Sequence, residues 1–394
     1  MQTLPLAGIR VLDLTQIFQG PYASFLMAMA GADVVKVEPP GGERMRQGSG
    51  ANTTLSFATL NSNKKSLTLD LKHPRGKELL KSMAAQADVL LENFAAGTMD
   101  RLSLGWEVMR AINPRLVYGS ATGYGLTGPD RDLLAMDHTI QAASGIMSIT
   151  GEAGGPPARA GGTPCDIMGG IHLYAGVLQA LLGRNRTGQG TLVEVAMVEA
   201  MYFTLTSDFA AYHRTGALPE RRGDKTPANT APYGRYRCKD GWIALICVSE
   251  DQWTRILEVV GRTDLEGNPD YAGREKRHAR ESEINAMIEA WSAKLPRDEA
   301  FAAMRKNRVP VAPIRNLEDV RNDPHMHARG TLRRMQHPDM GEIVLPRAPI
   351  RLSDYACAEV AFFPETGANG AEVLRDWLGL SEVEIAELEK DRVI

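Results

Sequence analysis

The sequence predicts an α/β fold: a Rossmann-like parallel sheet in a large domain, with a smaller α+β domain. Two observations carry this. Short apolar runs alternate with amphipathic segments through the first half of the chain, the pattern of parallel strands joined by helices. After residue 230 the style changes to a hairpin followed by helices. The 394 residues allow roughly two to three domains of ordinary size.

Taken in order, Ile9–Leu14 reads as a strand. Gly20-Pro21 opens a helix with Pro at its first position, Phe25, Leu26 and Met29 share one face, and Gly31 stops it. Asp33–Glu38 is the next strand, followed by a polar loop from Pro39 to Gly50. Ser66–Leu71, Asp88–Glu92 and Leu116–Ser120 are further strands, with a helix at Pro74–Ala87. From Gly151 to Gly170 the texture changes, with seven glycines and three prolines before a helix at Ile171–Leu182 and a strand at Leu192–Ala196. Glu220–Pro232 looks like a linker. Tyr236–Lys239 and Trp242–Val248 flank Asp240-Gly241, a two-residue hairpin signal. Helices follow at Asp251–Val260, Glu281–Ala293 and Arg297–Lys306. The expected division is a large α/β domain over 1–215, a small domain over 225–325 and a return to the large domain over 330–394.

Composition narrows the class. Lys and Arg total 45 against 48 Asp and Glu, a net charge of −3, so no nucleic-acid-binding surface is expected. Cys165, Cys238, Cys247 and Cys357 are scattered without a CxxC pair, which fits a reducing compartment and gives no zinc site. Arg10 and Asp13 interrupt the apolar residues of the N-terminus, unlike a signal peptide. No apolar run approaches the ~18 residues of a membrane span. A soluble cytoplasmic enzyme without membrane contact is the expectation. The 38 glycines are the compositional surplus, and they cluster at 119–128 and 151–170.

Gly123-Tyr124-Gly125-Leu126-Thr127-Gly128 matches GxGxxG, yet Pro129-Asp130-Arg131-Asp132 follows where a dinucleotide-binding helix needs small and apolar residues. Tight turns, or close approach of another ligand, explain these glycines better. Asp166 follows Gly161-Gly162 and precedes Gly169-Gly170. An Asp at a helix start is ordinarily a cap. Here the glycines would bare backbone N–H groups, let a bulky ligand reach the carboxylate, and leave donors for an oxyanion. A carboxylate nucleophile needs an already activated acyl donor such as a thioester. Cys165 is the rival nucleophile, but no His stands in a partner motif. His172 reads as a core histidine, and His325 with His327 lack a third ligand, so no metal is expected. The basic run Arg274, Lys276, Arg277 and Arg280 reads as a solvated face. Lys64-Lys65 either meets phosphates or flanks a strand.

Several segments together resemble the class III CoA-transferases, the group of formyl-CoA and carnitine CoA-transferases. They include LAGIRVLDLTQ (6–16), GADVVKVEPPGGERMR (31–46), LNSNKKSLTLDLKHPRGKELL (60–80), MDHTIQAASG (136–145), CDIMGGIHLYAGVLQALL (165–182) and APYGRYRCKDGWIAL (231–245). The likeness covers essentially the whole chain. It implies that Asp166 attacks an acyl-CoA to form a mixed anhydride and then an aspartyl-CoA thioester. Coenzyme A is then a substrate and product rather than a bound cofactor, and the partners are acyl-CoA and carboxylic acids. The CoA contacts it implies are Leu69, Lys72, Asn93, Phe94, Arg101 and Gln19, with Asp137, Gly169 and Gly170 beside the nucleophile or substrate. It also implies an interlocked homodimer. Phe18 stands where formyl-CoA transferases use a Gln, with Gln19 one residue later, and Pro39 replaces a nucleotide-binding Arg. The consecutive glycines those enzymes carry in the smaller domain are absent from 220–232. Arg44, Arg46 and Arg159 are candidates for pairing with a second carboxylate on a substrate. Two alternatives remain: a 2-methylacyl-CoA racemase, for which Met136 stands where a His is needed and Arg237 where a Glu is needed, and a non-catalytic acyl-CoA-binding protein.

Overall fold

In the computed structural model six parallel strands form one sheet: β1 (Arg10–Asp13), β2 (Asp33–Glu38), β3 (Lys65–Thr68), β4 (Val89–Glu92), β5 (Val117–Thr122) and β6 (Leu192–Ala196). Their order is β3-β2-β1-β4-β5-β6, that of a doubly wound fold. Residues 4–46, 55–221, 223, 230–337, 341–356 and 358–394 are described. The end of the polar loop (47–50), most of the 220–232 linker and Cys357 lie outside them.

The helices of this part are α1 (Gln19–Met29), α2 (Leu55–Asn61), α3 (Pro74–Ala84), α4 (Thr98–Arg101), α5 (Trp106–Ile112), α6 (Asp137–Ala143), α7 (Ile146–Ile149) and α8 (Pro164–Thr187). Helix α1 is buried on nearly all sides, which is why its sequence shows no polar face. Pro21 occupies its third position rather than its first, still within the turn where a missing N–H costs nothing. Gly31 takes φ +97°, and a Cβ there would lie 2.4 Å from Leu4 Cβ, so the stop at this glycine is steric as well as conformational.

Helix α8 corrects the expected start at Ile171. It begins at Pro164, so Asp166 lies inside its first turn and Gly169-Gly170 inside the helix. Glycine is disfavoured in a helix interior, but a Cβ on Gly169 would lie 2.5 Å from Gln19 Nε2, and one on Gly170 2.5 Å from the Gln19 carbonyl oxygen. The glycines let α1 press against α8. By length and composition alone α8 is apolar enough to cross a membrane, contrary to the expectation of no such run. Leu173, Val177 and Leu181 instead pack with Val11, Leu91 and Val117 under the sheet, as in a core helix.

The chain divides into two compact units. The first comprises Met1–Ile146, Ala160–Thr204 and Pro324–Ile394; it also holds the hairpin β10–β11 (Leu332–His337, Gly341–Pro346) and two C-terminal helices whose Val373, Leu374, Trp377 and Ile385 pack with Leu67 and Leu80. The second comprises Met147–Arg159 and Leu205–Asp323. Its sheet is β7-β8-β9 (Tyr233–Arg237, Trp242–Ile246, Val311–Pro313), antiparallel throughout. Arg237 pairs with Trp242, and Cys238 N donates to Gly241 O at 2.8 Å, so the turn centres on Lys239-Asp240 rather than Asp240-Gly241. Arg277 is also corrected: it is buried, gripping both Glu250 carboxylate oxygens at 2.8 Å over the Trp253 ring, and is no solvated face.

Candidate active site

In an open parallel sheet, ligands collect beyond the carboxyl ends of the strands where the strand order reverses. Here that point lies between β1 and β4. The loop after β1 (14–18), the turn after β4 (93–97) and the long loop after β5 (123–136) converge on a cleft of about 550 Å³. Asp166 lies in its wall with Gln16, Ile17, Gln19, Arg44 and Asn93.

Asp166 is 7% exposed, and its carboxylate takes no hydrogen bond among the described residues. The expectation of free N–H donors at this helix start fails, because another carboxylate occupies them. Asp137 Oδ2 accepts from Cys165 N at 2.8 Å and from Asp166 N at 3.3 Å. Its Oδ1 accepts from Gln141 Nε2 at 2.6 Å, and Gln141 Oε1 in turn accepts from Ala160 N at 2.9 Å. Ile167 N is spent on Thr163 O at 3.1 Å. Asp137 therefore caps α8 from α6. Burial first, and the Asp137 charge second, push the Asp166 carboxyl up to about 7. Burial and both carboxylates push the Cys165 thiol up to about 12, which keeps the rival nucleophile protonated.

Gln19 is buried beneath this wall, and its Nε2 has no hydrogen-bond partner among the described residues. A buried amide donor left unmade is costly; this one lies against Gly169, one turn along α8 from Asp166. Ile17 takes φ +68°, an outlier for a β-branched residue.

A second cleft, about 330 Å³, shares Gln16 and Phe94 with the first. Leu69, Lys72 and Arg101 line it, and Pro39 stands in the same wall. The structure thus brings together all six residues expected to touch CoA along two joined clefts, with Gln19 and Asn93 in the first. Asn93 differs from expectation in its bonding: Oδ1 accepts from Gln16 N at 2.7 Å and Nδ2 donates to Gln16 O at 2.8 Å. Its amide is spent on the loop after β1. Glu92, which the sequence did not single out, accepts from Phe94 N at 2.9 Å and shapes the same turn, and burial pushes its carboxyl up to about 7.

Other candidates fall away. Lys64 is buried in an ion pair with Asp13 at 2.9 Å, and Lys65 pairs with Asp33 and Glu372, so neither is free for a phosphate. Arg46 is locked to Glu38 through Nε at 2.7 Å and Nη2 at 2.8 Å, and Arg159 belongs to the second unit. Arg44 alone of the three lines the cleft. His172 meets Met168 O at 2.8 Å within α8. Met136 lines the cleft, while His138 does not. Among the described residues no group of His, Cys, Asp and Glu could hold a metal ion. Of the glycines of 123–128, Gly123 lines the cleft: a Cβ there would lie 2.0 Å from Ala135 Cβ, and no helix follows Gly128 before Asp137.

Comparison with known proteins agrees with this architecture. The chain is 35% identical over 399 residues to the β subunit of a succinyl-CoA–L-malate CoA-transferase of Chloroflexus aurantiacus, covering 100% of this chain and 98% of that one. It is 36% identical over 410 residues to a formyl-CoA:oxalate CoA-transferase of Streptomyces avermitilis, covering all of both. The crystal structure of a CAIB/BAIF family protein from Brucella suis superposes with a TM-score of 0.85 at 32% identity, covering 95% of this chain and 100% of that one. The model of CoA-transferase family III matches residues 6–369. A carboxylate walled into a cleft at the switch point, and relatives of that kind along the full length, have one reading: this chain is a class III CoA-transferase.

Proposed function

We propose that Asp166 is the nucleophile and that CoA passes through it from an acyl-CoA donor to a carboxylic acid. The Asp166 carboxylate attacks the donor thioester carbonyl, the C–S bond breaks, and CoA thiolate leaves a mixed anhydride. The thiolate then attacks the Asp166 carbonyl, forming an aspartyl-CoA thioester and releasing the donor acid as its carboxylate. An acceptor carboxylate attacks that thioester and expels CoA; the thiolate takes the acceptor acyl group and frees Asp166. No proton or electron is gained or lost over the cycle.

The observation that carries this reading is a buried carboxylate, without hydrogen bonds of its own, in a cleft joined to one lined by Lys72 and Arg101. Poor solvation makes a carboxylate a stronger nucleophile, and walls that exclude water protect an anhydride. Lys72 and Arg101 suit the CoA phosphates. The unpartnered Gln19 amide is available to an acyl oxygen. Arg44 is available to a second carboxylate on the acid, which fits the succinyl, malate and oxalate named for the relatives. We also infer a homodimer of interlocked chains, for which the apolar residues exposed on α8 and after it (Ile171, Leu182, Tyr202 and Phe203) supply a surface to cover. The buried free thiols Cys165, Cys238 and Cys247 fit a cytoplasmic location.

The test is a panel of succinyl-, acetyl- and formyl-CoA crossed with mono- and dicarboxylic acids, followed by mass spectrometry. Hydroxylamine added with the donor is expected to leave a hydroxamate on Asp166. Full transfer by an Asp166→Ala protein would overturn the proposal.

A further inference from the structure

In the loop after β1, five consecutive backbone polar groups, from Thr15 N to Ile17 N, are held by side chains. Thr15 N donates to Asp13 Oδ1 at 3.0 Å, and Thr15 O accepts from Lys36 Nζ at 2.8 Å. Gln16 is held at both N and O by Asn93. Ile17 N donates to Glu43 Oε1 at 2.8 Å, and Glu43 Oε2 forms an ion pair with Lys36 Nζ at 2.7 Å. Both charged side chains are almost wholly buried. A buried ion pair is poor evidence for stability, because hydrophobic residues of the same size often serve as well or better. What this pair accompanies is a strained residue. Left-handed backbone at a β-branched residue persists only where the surroundings over-determine it. Ile17 is that residue, and it lies in the wall of the Asp166 cleft.

We propose that Glu43, fixed by Lys36, is a positioning residue: by accepting the Ile17 N–H it holds Ile17 left-handed and so sets the cleft wall facing Asp166. The inference rests on the reading of Asp166 for where the reaction takes place. Neither Glu43 nor Lys36 takes part in the chemistry. The role is one of geometry, and small misplacements at a reacting centre are expensive in rate.

The test compares two double variants, Lys36→Met/Glu43→Gln and Lys36→Met/Glu43→Met. Both lack the ion pair, and they differ in whether residue 43 offers an oxygen to Ile17 N–H. With succinyl-CoA as donor and a dicarboxylic acid as acceptor, the Gln variant is expected to turn over about tenfold faster than the Met variant, in kcat and not in KM. Adding Ile17→Gly to the Met variant is expected to restore most of that difference, because glycine adopts this conformation without help. Equal kcat for the two doubles, or no gain from Ile17→Gly, would overturn the proposal. If the Met variant fails to fold by circular dichroism, the triple variant must fold; a triple that also fails overturns it too. The Asp166 reading fails separately, through transfer by Asp166→Ala, whatever the Glu43 variants do.

Discussion

Asp137 accepts the backbone N–H of Asp166 at 3.3 Å, so one carboxylate caps the turn that presents the other. The arrangement ties catalysis to pH. Burial and the Asp137 charge push the Asp166 carboxyl up to about 7, and the nucleophile proposed above is its ionised form. Hydroxamate formation is therefore expected to rise with pH through about 7 and level off above it. Asp137→Asn keeps an oxygen for the Cys165 and Asp166 N–H groups but removes the charge, so the acid limb should move to lower pH. An unmoved limb would mean that Asp137 acts only as a cap.

The same shift makes a stability statement of opposite sense. A carboxyl whose folded value lies above its unfolded one favours the fold below the ordinary carboxyl range, and the contribution is lost as pH rises through about 7. Asp166→Asn removes that dependence. Its gain over the parent in thermal unfolding should be larger at pH 8 than at pH 5, on the order of 2 kcal/mol. A gain independent of pH would show that the Asp166 carboxylate is better solvated than its burial indicates.

The glycines on α8 differ in what they face. A Cβ on Gly169 meets the end of the Gln19 side chain, while one on Gly170 meets the Gln19 backbone carbonyl. A side-chain amide can swing aside; a backbone cannot without moving α1. Gly170→Ala should cost about 1–3 kcal/mol in urea unfolding. Gly169→Ala should cost less stability and more activity, since it displaces the unpartnered Gln19 amide. The reverse order would contradict this account.

What the sequence disclosed follows the range of the forces involved. Alternation of strands and helices is local, so β1, β2, β4 and β6 stand where their apolar runs put them. Asp166 stands out as a candidate because its glycines are its neighbours in sequence. The start of α8 was not, because the reason Gly169 and Gly170 tolerate a helix lies in Gln19, about 150 residues away. Buried charges were misread for the same cause. Lys64 stays open between meeting phosphates and flanking a strand only while Asp13 is out of view, and Arg46 is a candidate for a substrate carboxylate only without Glu38. Nothing in the sequence marks Ile17 as left-handed or Asp137 as the cap of α8, since both depend on groups brought together by the fold.

The Asp13–Lys64 pair gives a test of that burial. Asp13 Oδ2 also accepts from Ser24 Oγ at 2.6 Å, and Lys64 Nζ donates to Asn61 Oδ1 at 2.7 Å, so the pair is fully hydrogen-bonded. Lys64 and the neighbouring Lys36 hold the Asp13 carboxyl well below its usual range despite its burial. Lys64→Met strands a buried carboxylate and should cost about 3–5 kcal/mol. Asp13→Asn added to it should recover much of that loss. Failure to recover would mean that the lysine matters for its packing and not for its charge.

Lys72 and Arg101 lie along the second cleft, and neither forms an ion pair with a carboxylate among the described residues. Arg101 Nη2 donates to Thr98 Oγ1 at 2.8 Å, leaving other N–H groups for a ligand. A Cβ on Gly97 would lie 3.2 Å from Arg101 Nη1 and 3.8 Å from Arg131 Nη2, so two guanidinium groups converge there at the junction with the first cleft. Arg131 Nε already pairs with the exposed Asp132 at 3.3 Å, so Arg101 is the guanidinium of the two with more to gain from a phosphate. Lys72→Met and Arg101→Met should each weaken CoA binding about tenfold, and Arg131→Met by less, while leaving pantetheine, which lacks the nucleotide phosphates, unaffected. The salt dependence of CoA binding should flatten in the same variants. Equal losses for CoA and pantetheine in calorimetry would remove the phosphates from this cleft.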